Sequence, residues 1–334
     1  MRLRMNQAIT MAIADEMELD SRVVVFGEDV AVADGVFKTS EGLLAKFGSD
    51  RVRDTPISEM GFLGMAVGAA MTGLRPVAEI MFIEFLGVAL DQVVTEAALM
   101  HYLSGGRYQV PLVVRASVGS GLGFGCQHSQ TLERWLLGTP GLTVAVASGA
   151  RSAYGLTRAA IRENNPVVLL EPRTLYGERE NVEPGEGSVF ALGTAEVVRE
   201  GTDVTLVTLG QTVRVALAAA DAAPWSAEVI DLRTIMPWDK ERVLESVRKT
   251  GHLVVVEENQ YTGGWGTDIA AHVAGEAFGS LKGPVLRVTA PDVPVPYGLE
   301  LEQHFLPSAA YVTNQVSELL STKKIPAPWW KEFA

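Results

Sequence analysis

At 334 residues the chain has room for two domains of roughly 100–200 residues each. A net charge of −12 with scattered basic residues excludes an electrostatic grip on nucleic acid. A single cysteine, Cys126, excludes an intrachain disulfide and a cysteine-built zinc site. No run approaches the ~18 apolar residues of a membrane span. The first residues lack a signal-peptide apolar run, so a bacterial-type cytoplasmic protein is expected, without membrane or nucleic-acid partners.

In chain order, a helix is predicted over Met5–Leu19, with Met5, Ile9, Ile13 and Met17 on one stripe. Strands are predicted at Val23–Phe26, Pro76–Met81, Leu112–Ala116, Thr143–Ala147, Val167–Leu170, Val204–Leu209, Ala227–Leu232, Leu253–Glu257 and Val285–Val288. Their continuous apolar character suits strands covered on both faces. Helical segments Gly87–Leu103, Ala150–Glu163, Thr212–Ala222, Asp239–Thr250 and Thr267–Phe278 alternate with them. That alternation predicts an α/β fold of two doubly wound, parallel domains. The polar, Pro/Gly-bearing stretch Pro172–Ser188 reads as a boundary. The expected division is 1–175, a linker 176–190, and 191–334. Adjacent Trp329 and Trp330 in the tail are expected to dock on the chain itself or on a partner.

Two segments could carry chemistry. Asp54-Thr-Pro-Ile-Ser-Glu leads from an extended approach at Pro56 to an N-cap at Ser58 and a helix from Glu59. Gly61, Gly64, Ala66, Gly68, Ala69 and Ala70 leave that helix bare, so another backbone can come close. Glu59 is then either a first-turn carboxylate favoured by the helix dipole or a shielded carboxyl of raised pKa. The second segment is Gly119-Ser-Gly-Leu-Gly-Phe-Gly-Cys-Gln-His128. Its G-x-G-x-G-x-G spacing is neither the dinucleotide fingerprint nor a phosphate-binding Walker loop. It delivers His128 beyond a strand's C-terminal end, where open α/β sheets place their sites. Glu28, Asp29, Glu84 and Asp91 are further acidic candidates with loop or cap roles by default. Tyr261-Thr-Gly-Gly-Trp-Gly-Thr is expected to open a helix after a strand.

The ordered set Phe26-Gly-Glu-Asp-Val, Gly35-Val-Phe, Asp54-Thr-Pro-Ile-Ser-Glu, Gly73-Leu-Arg-Pro-Val-Ala-Glu, Gln127-His-Ser-Gln, Asn165-Pro-Val-Val, Val229-Ile-Asp-Leu-Arg-Thr-Ile-Met-Pro-Trp-Asp and Lys249-Thr-Gly-His spans nearly the whole chain. It resembles the beta subunit of the thiamine-diphosphate-dependent decarboxylase component of 2-oxoacid dehydrogenase complexes. The resemblance implies a transketolase-like pyrimidine-binding domain followed by a transketolase C-terminal domain. It implies that Glu59 bonds the aminopyrimidine of thiamine diphosphate. It implies that His128 binds substrate and assists acyl transfer to lipoamide. Phe85, Ile57 and Met81 would wall the cofactor, with Glu28 and Asp91 near it. Potassium would lie on backbone oxygens of Leu112, Ala160, Ile161, Glu163 and Asn165.

The superfamily's Gly-Asp-Gly followed about 30 residues later by Asn, which holds Mg²⁺ and the diphosphate, has no match here. The one Asp-Gly is Asp34-Gly35. An alpha subunit would therefore supply that half of the site, in an α2β2 heterotetramer docked on a dihydrolipoyl acyltransferase core. Phe85 leans the substrate toward pyruvate or acetoin, with a branched-chain 2-oxoacid as the alternative. Two other readings are a non-catalytic scaffold subunit and a CoA-transferase-like half using Glu59 as nucleophile.

Overall fold

The predicted stripe on the first helix is the seed of the first core. In the computed structural model, which describes residues 1–332, Met5, Ala8, Ile9, Ala12 and Ile13 are fully buried and Met17 nearly so. This spacing turns one face of Met5–Leu19 inward. It packs with helix Ala150–Arg162 over apolar strand residues such as Val23, Val25, Val77 and Val167. Glu16 sits between the two helices and accepts from Arg158 Nε at 2.6 Å and Arg162 Nε at 2.8 Å.

The chain forms two units. The first holds Met1–Gly119, Trp135–Leu192 and Thr234–Pro237. Its seven-stranded sheet runs Thr234–Met236, Thr143–Val146, Val167–Pro172, Val113–Val118, Arg75–Ile80, Val23–Gly27, Val52–Asp54. The second unit holds Ser120–Arg134, Gly193–Arg233 and the chain from Trp238 onward. Its five-stranded sheet runs Leu286–Ala290, Leu253–Gln260, Val204–Thr208, Ala227–Asp231, Glu196–Arg199. Helices Thr212–Ala222 and Ala309–Thr322 close its core through Ala216, Ala219, Val312, Val316 and Leu319.

All nine predicted strands are present and pair parallel with one another within these sheets. The expectation of wholly parallel sheets is corrected at the edges. Thr234–Met236 and Glu196–Arg199 each join antiparallel. These short edge strands lack the apolar run of a strand covered on both faces, so composition does not announce them. The helix expected over Gly87–Leu103 is also corrected. Ile83–Val88 is a 3₁₀ turn, and a wide π turn over Gln92–Ala97 runs into Ala98–Leu103. A Cβ on Gly64 would lie 2.9 Å from Gln92 Oε1, so the glycine helix approaches closely there. Helix Ala309–Thr322, absent from the expectation, was signalled by Val312, Val316 and Leu319 behind Ser308, whose hydroxyl accepts from the Tyr311 amide.

Residues 176–190, expected as a linker, are fastened to the first unit. Arg179–Asn181 pairs antiparallel with Arg2–Arg4. Glu186 takes Arg158 at 2.8 Å and Arg162 at 2.6 Å. Gly155 admits the Ser188 carbonyl where a Cβ would stand 2.5 Å from it. In the tail, Trp330 stands edge-on to Tyr261 with ring centroids 6.3 Å apart, within the second unit. The Trp329 side chain, Phe333 and Ala334 lie outside the described residues.

The first sheet also buries charge. Arg115, fully buried, donates to Glu171 at 2.7 and 3.0 Å and to Glu79 at 2.8 Å. Tyr176 Oη donates to Glu171 at 2.7 Å, and Thr39 Oγ1 to Glu79 at 3.0 Å. The three charged residues come from adjacent strands. Burial pushes the Glu171 carboxyl and the Tyr176 phenol upward, the latter well above 10.

Candidate active site

In the first unit, three parallel strands end at one edge of the sheet and deliver the predicted residues there. Val23–Gly27 leads into Glu28. Val52–Asp54 leads through Pro56 to the helix Glu59–Met71. Arg75–Ile80 leads to Met81, Phe82 and Phe85. Gly27 is required where it stands, since a Cβ would lie 2.7 Å from the Glu79 carbonyl. Asp54 accepts from the amides of Ala31 at 2.7 Å and Val32 at 3.1 Å, which fixes the turn after Glu28.

The charge of Glu59 reaches Glu28. Burial, the charge of Glu59 and the charge of Asp29 raise the Glu28 carboxyl, while the Ser58 amide draws it back. Glu28 Oε1 is buried without a hydrogen-bond partner. The expected cap is corrected: Ser58 occupies the cap position, but its hydroxyl bonds the Pro56 carbonyl at 3.4 Å and no helix amide. The expected shielding of Glu59 is partial. Glu59 is half-buried, and around it Ile57 is 85%, Met60 58% and Met65 53% exposed. Phe85 is half-buried and packs edge-on against Phe82 at 5.7 Å. Met81 is half-buried, its carbonyl accepting from Ser117 Oγ. Asp91 is exposed.

An unpartnered carboxylate oxygen, a neighbouring carboxylate, aromatic and aliphatic walls and an uncovered apolar rim fit one end of a flat, nitrogen-bearing heterocycle. They do not fit a diphosphate. Asp34 accepts from the Gly42 amide at 3.0 Å and so shapes a turn. Among the described residues, no cluster of three His, Cys, Asp or Glu could hold a metal ion.

Arg75 already supplies positive charge to two of the five oxygens assigned to potassium, those of Ile161 and Glu163. It donates to Ile161 O at 2.8 Å, Arg162 O at 2.6 Å and Glu163 O at 2.9 Å. Leu112 O accepts from the Val167 amide at 2.9 Å. A potassium ion would have to use second lone pairs beside a guanidinium. Arg75 caps the end of helix Ala150–Arg162.

His128 belongs to the second unit, with the whole loop Ser120–Arg134. Gly119 just before the loop and Gly121, Gly123 and Gly125 within it have φ of 94°, 109°, 74° and 73°, the left-handed region that explains their recurrence at every second position. His128 is half-buried, its amide donating to Gly125 O at 3.2 Å. A cavity of about 630 Å³ beside it is lined by Cys126, Gln127, Gln130, Arg134, Gln260 and Asp292 among others. Cys126 is exposed at its rim.

The sequence reading missed Glu258, one residue past the end it gave to its strand. Glu258 accepts from Ser120 N at 2.6 Å, Ser120 Oγ at 2.8 Å and Gln211 Nε2 at 2.5 Å. Burial pushes its carboxyl up to about 7; the Ser120 bonds oppose this and the charge of Glu133 adds to it. A carboxyl raised in the folded state holds its proton between 4.5 and about 7, where the unfolded chain has lost it. Its stabilising contribution is therefore present at low pH and lost as pH rises through about 7. Glu258→Gln removes that term. The variant's melting temperature relative to wild type is expected to climb between about pH 5 and about pH 8. A difference that stays level across a thermal-shift series would contradict the assignment.

Comparison with known proteins decides the family. Residues 2–179 match the transketolase pyrimidine-binding domain and residues 193–312 the transketolase C-terminal domain. The chain is 44% identical to the mitochondrial pyruvate dehydrogenase E1 component subunit beta of Saccharomyces cerevisiae, over 96% of this chain and 89% of that one. The chain belongs to the beta-subunit family of the 2-oxoacid dehydrogenases. It is also 43% identical to the acetoin:2,6-dichlorophenolindophenol oxidoreductase subunit beta of Cupriavidus necator, over 93% and 95% of the two chains. Among solved structures, it resembles a split-gene transketolase, an inactive beta4 tetramer, with a TM-score of 0.78 and 26% identity over 96% and 99% of the chains. Among the described residues of this beta-type chain, no helix is long and apolar enough to cross a membrane.

Proposed function

We propose that this chain is the beta subunit of a pyruvate- or acetoin-type dehydrogenase and holds the pyrimidine end of thiamine diphosphate. An alpha subunit supplies Mg²⁺ and the diphosphate grip. The observation that carries the reading is the buried, unpartnered Glu28 Oε1 beside Glu59 at a sheet edge whose apolar rim is uncovered. Glu59 would accept a hydrogen bond from the heterocycle. Burial and the charge of Glu59 favour the protonated form of Glu28, which suits a site that must share a proton. Ile57, Met81 and Phe85 would exclude water from the ring. When bound, thiamine diphosphate would supply the carbon nucleophile the substrate carbonyl needs. His128 would bind the substrate and assist acyl transfer to lipoamide on the acyltransferase core. Family membership and the absent metal motif together support an α2β2 assembly. A cytoplasmic location is proposed for it, although the yeast relative is mitochondrial by name.

The test is co-expression with the alpha-type chain, then 2-oxoacid- or acetoin-dependent dye reduction with and without thiamine diphosphate. Activity is expected only with both the partner and the cofactor. Equal rates without the cofactor would overturn the reading.

A further inference from the structure

The glycine loop is held by more than Glu258. Glu302, on helix Leu299–Phe305, is 1% exposed. Its two oxygens accept from the amides of Gly121 and Gly123, each at 2.7 Å. Neither Glu302 nor Glu258 has an ion-pair partner among the described residues. A carboxylate buried without a cation must be satisfied by hydrogen bonds, and bonds to a charged acceptor are stronger than those between neutral groups. The amides of two alternate glycines with positive φ, Gly121 and Gly123, converge on one carboxylate, a backbone nest for an anion. Here the anion is the chain's own glutamate.

The same helix and the turn before it also limit the loop sterically. A Cβ on Gly123 would lie 2.9 Å from Leu299 Cδ2, and one on Gly125 would lie 2.5 Å from Tyr297 Cδ2. The far end is tied as well, since Asn259 Nδ2 donates to Thr131 O at 3.2 Å and Glu133 Oε2 at 2.9 Å. His128 lies between these two fixed ends.

We propose that Glu302 is a positioning residue for His128: its carboxylate fills the loop's amide nest and thereby sets where the histidine stands. The proposal rests on the reading of His128 as the acyl-transfer histidine. Glu302→Gln presents one acceptor and one donor to two amide donors, so one bond is lost and an N–H meets an N–H.

In the assembled enzyme, hydrogen exchange of peptides spanning residues 119–130 is expected to accelerate in E302Q. The ratio of lipoyl-linked to dye-linked turnover is expected to fall at least about tenfold, as small misplacements of a reacting group do. A purely structural role would lower both rates together, and that result overturns the proposal. So does wild-type exchange. If E302Q fails to fold, Gly123→Ala strains the loop at φ 74° with Glu302 intact, and the same split is expected. His128→Ala separates the two possible failures. Wild-type lipoyl transfer in H128A sinks the histidine reading and the proposal with it. Lost transfer in H128A beside unchanged exchange and transfer in E302Q sinks the anchor alone.

Discussion

Glu59→Gln is expected to slow deuterium exchange at the thiazolium carbon of bound thiamine diphosphate by at least about 100-fold, the lower end of what loss of general acid–base assistance costs. Glu59 stands at the first turn of a helix packed so closely that Gly64 meets Gln92, so the carboxyl has little freedom to be replaced by a neighbour. Gln keeps size and polarity but cannot take up or release a proton. A second effect follows. Part of what raises the Glu28 carboxyl is the charge of Glu59. Removing that charge lowers Glu28, so Glu28 ionises more readily in the variant and does not substitute as a proton donor. Quenched-flow exchange followed by NMR reads the rate. An unchanged rate would remove Glu59 from the chemistry.

Arg115→Met is expected to destabilise the first unit by about 3–5 kcal/mol, the usual cost of leaving buried carboxylates without their cation. Glu79 and Glu171 would then face each other across the strand Val113–Val118 with only Thr39 and Tyr176 to bond them. The triple variant Arg115→Met, Glu79→Gln, Glu171→Gln removes the unpaired charge and should recover much of the loss. The sign with pH is fixed. Without Arg115 the Glu171 carboxyl is raised further in the folded state, so the deficit is largest at neutral pH and shrinks as pH falls through the carboxylate range. Chemical denaturation at about pH 5 and about pH 7.5 measures it. A variant as stable as wild type at both would contradict the role given to this network.

The fold was legible where burial is two-sided. Nine apolar runs became nine strands because each is covered on both faces, and the Met5–Ile13 stripe became core because helical spacing put it there. Edge strands such as Val52–Asp54 and Thr234–Met236 need only one neighbour and carry no such signature. Glu59 and His128 were legible as motif residues. Their supports were not. Glu302 lies 181 and 179 positions from the amides it holds, and Glu28's unpartnered oxygen depends on a turn fixed by Asp54. The loop Ser120–Arg134 lies inside the first domain by sequence position, yet its hydrogen bonds to Glu258, Asn259 and Glu302 count it with the second unit. Long-range bonds of this kind leave no local periodicity to read.

Everything proposed for function requires that this chain grip one end of a cofactor and lack the means to hold the other. Calorimetric titration of thiamine diphosphate with Mg²⁺ into the isolated chain, and into the chain combined with its alpha partner, addresses that directly. Saturable binding at one site per partner pair, with at least about a hundredfold weaker binding to this chain alone, is the predicted outcome. Equally tight binding to the isolated chain would contradict a shared site.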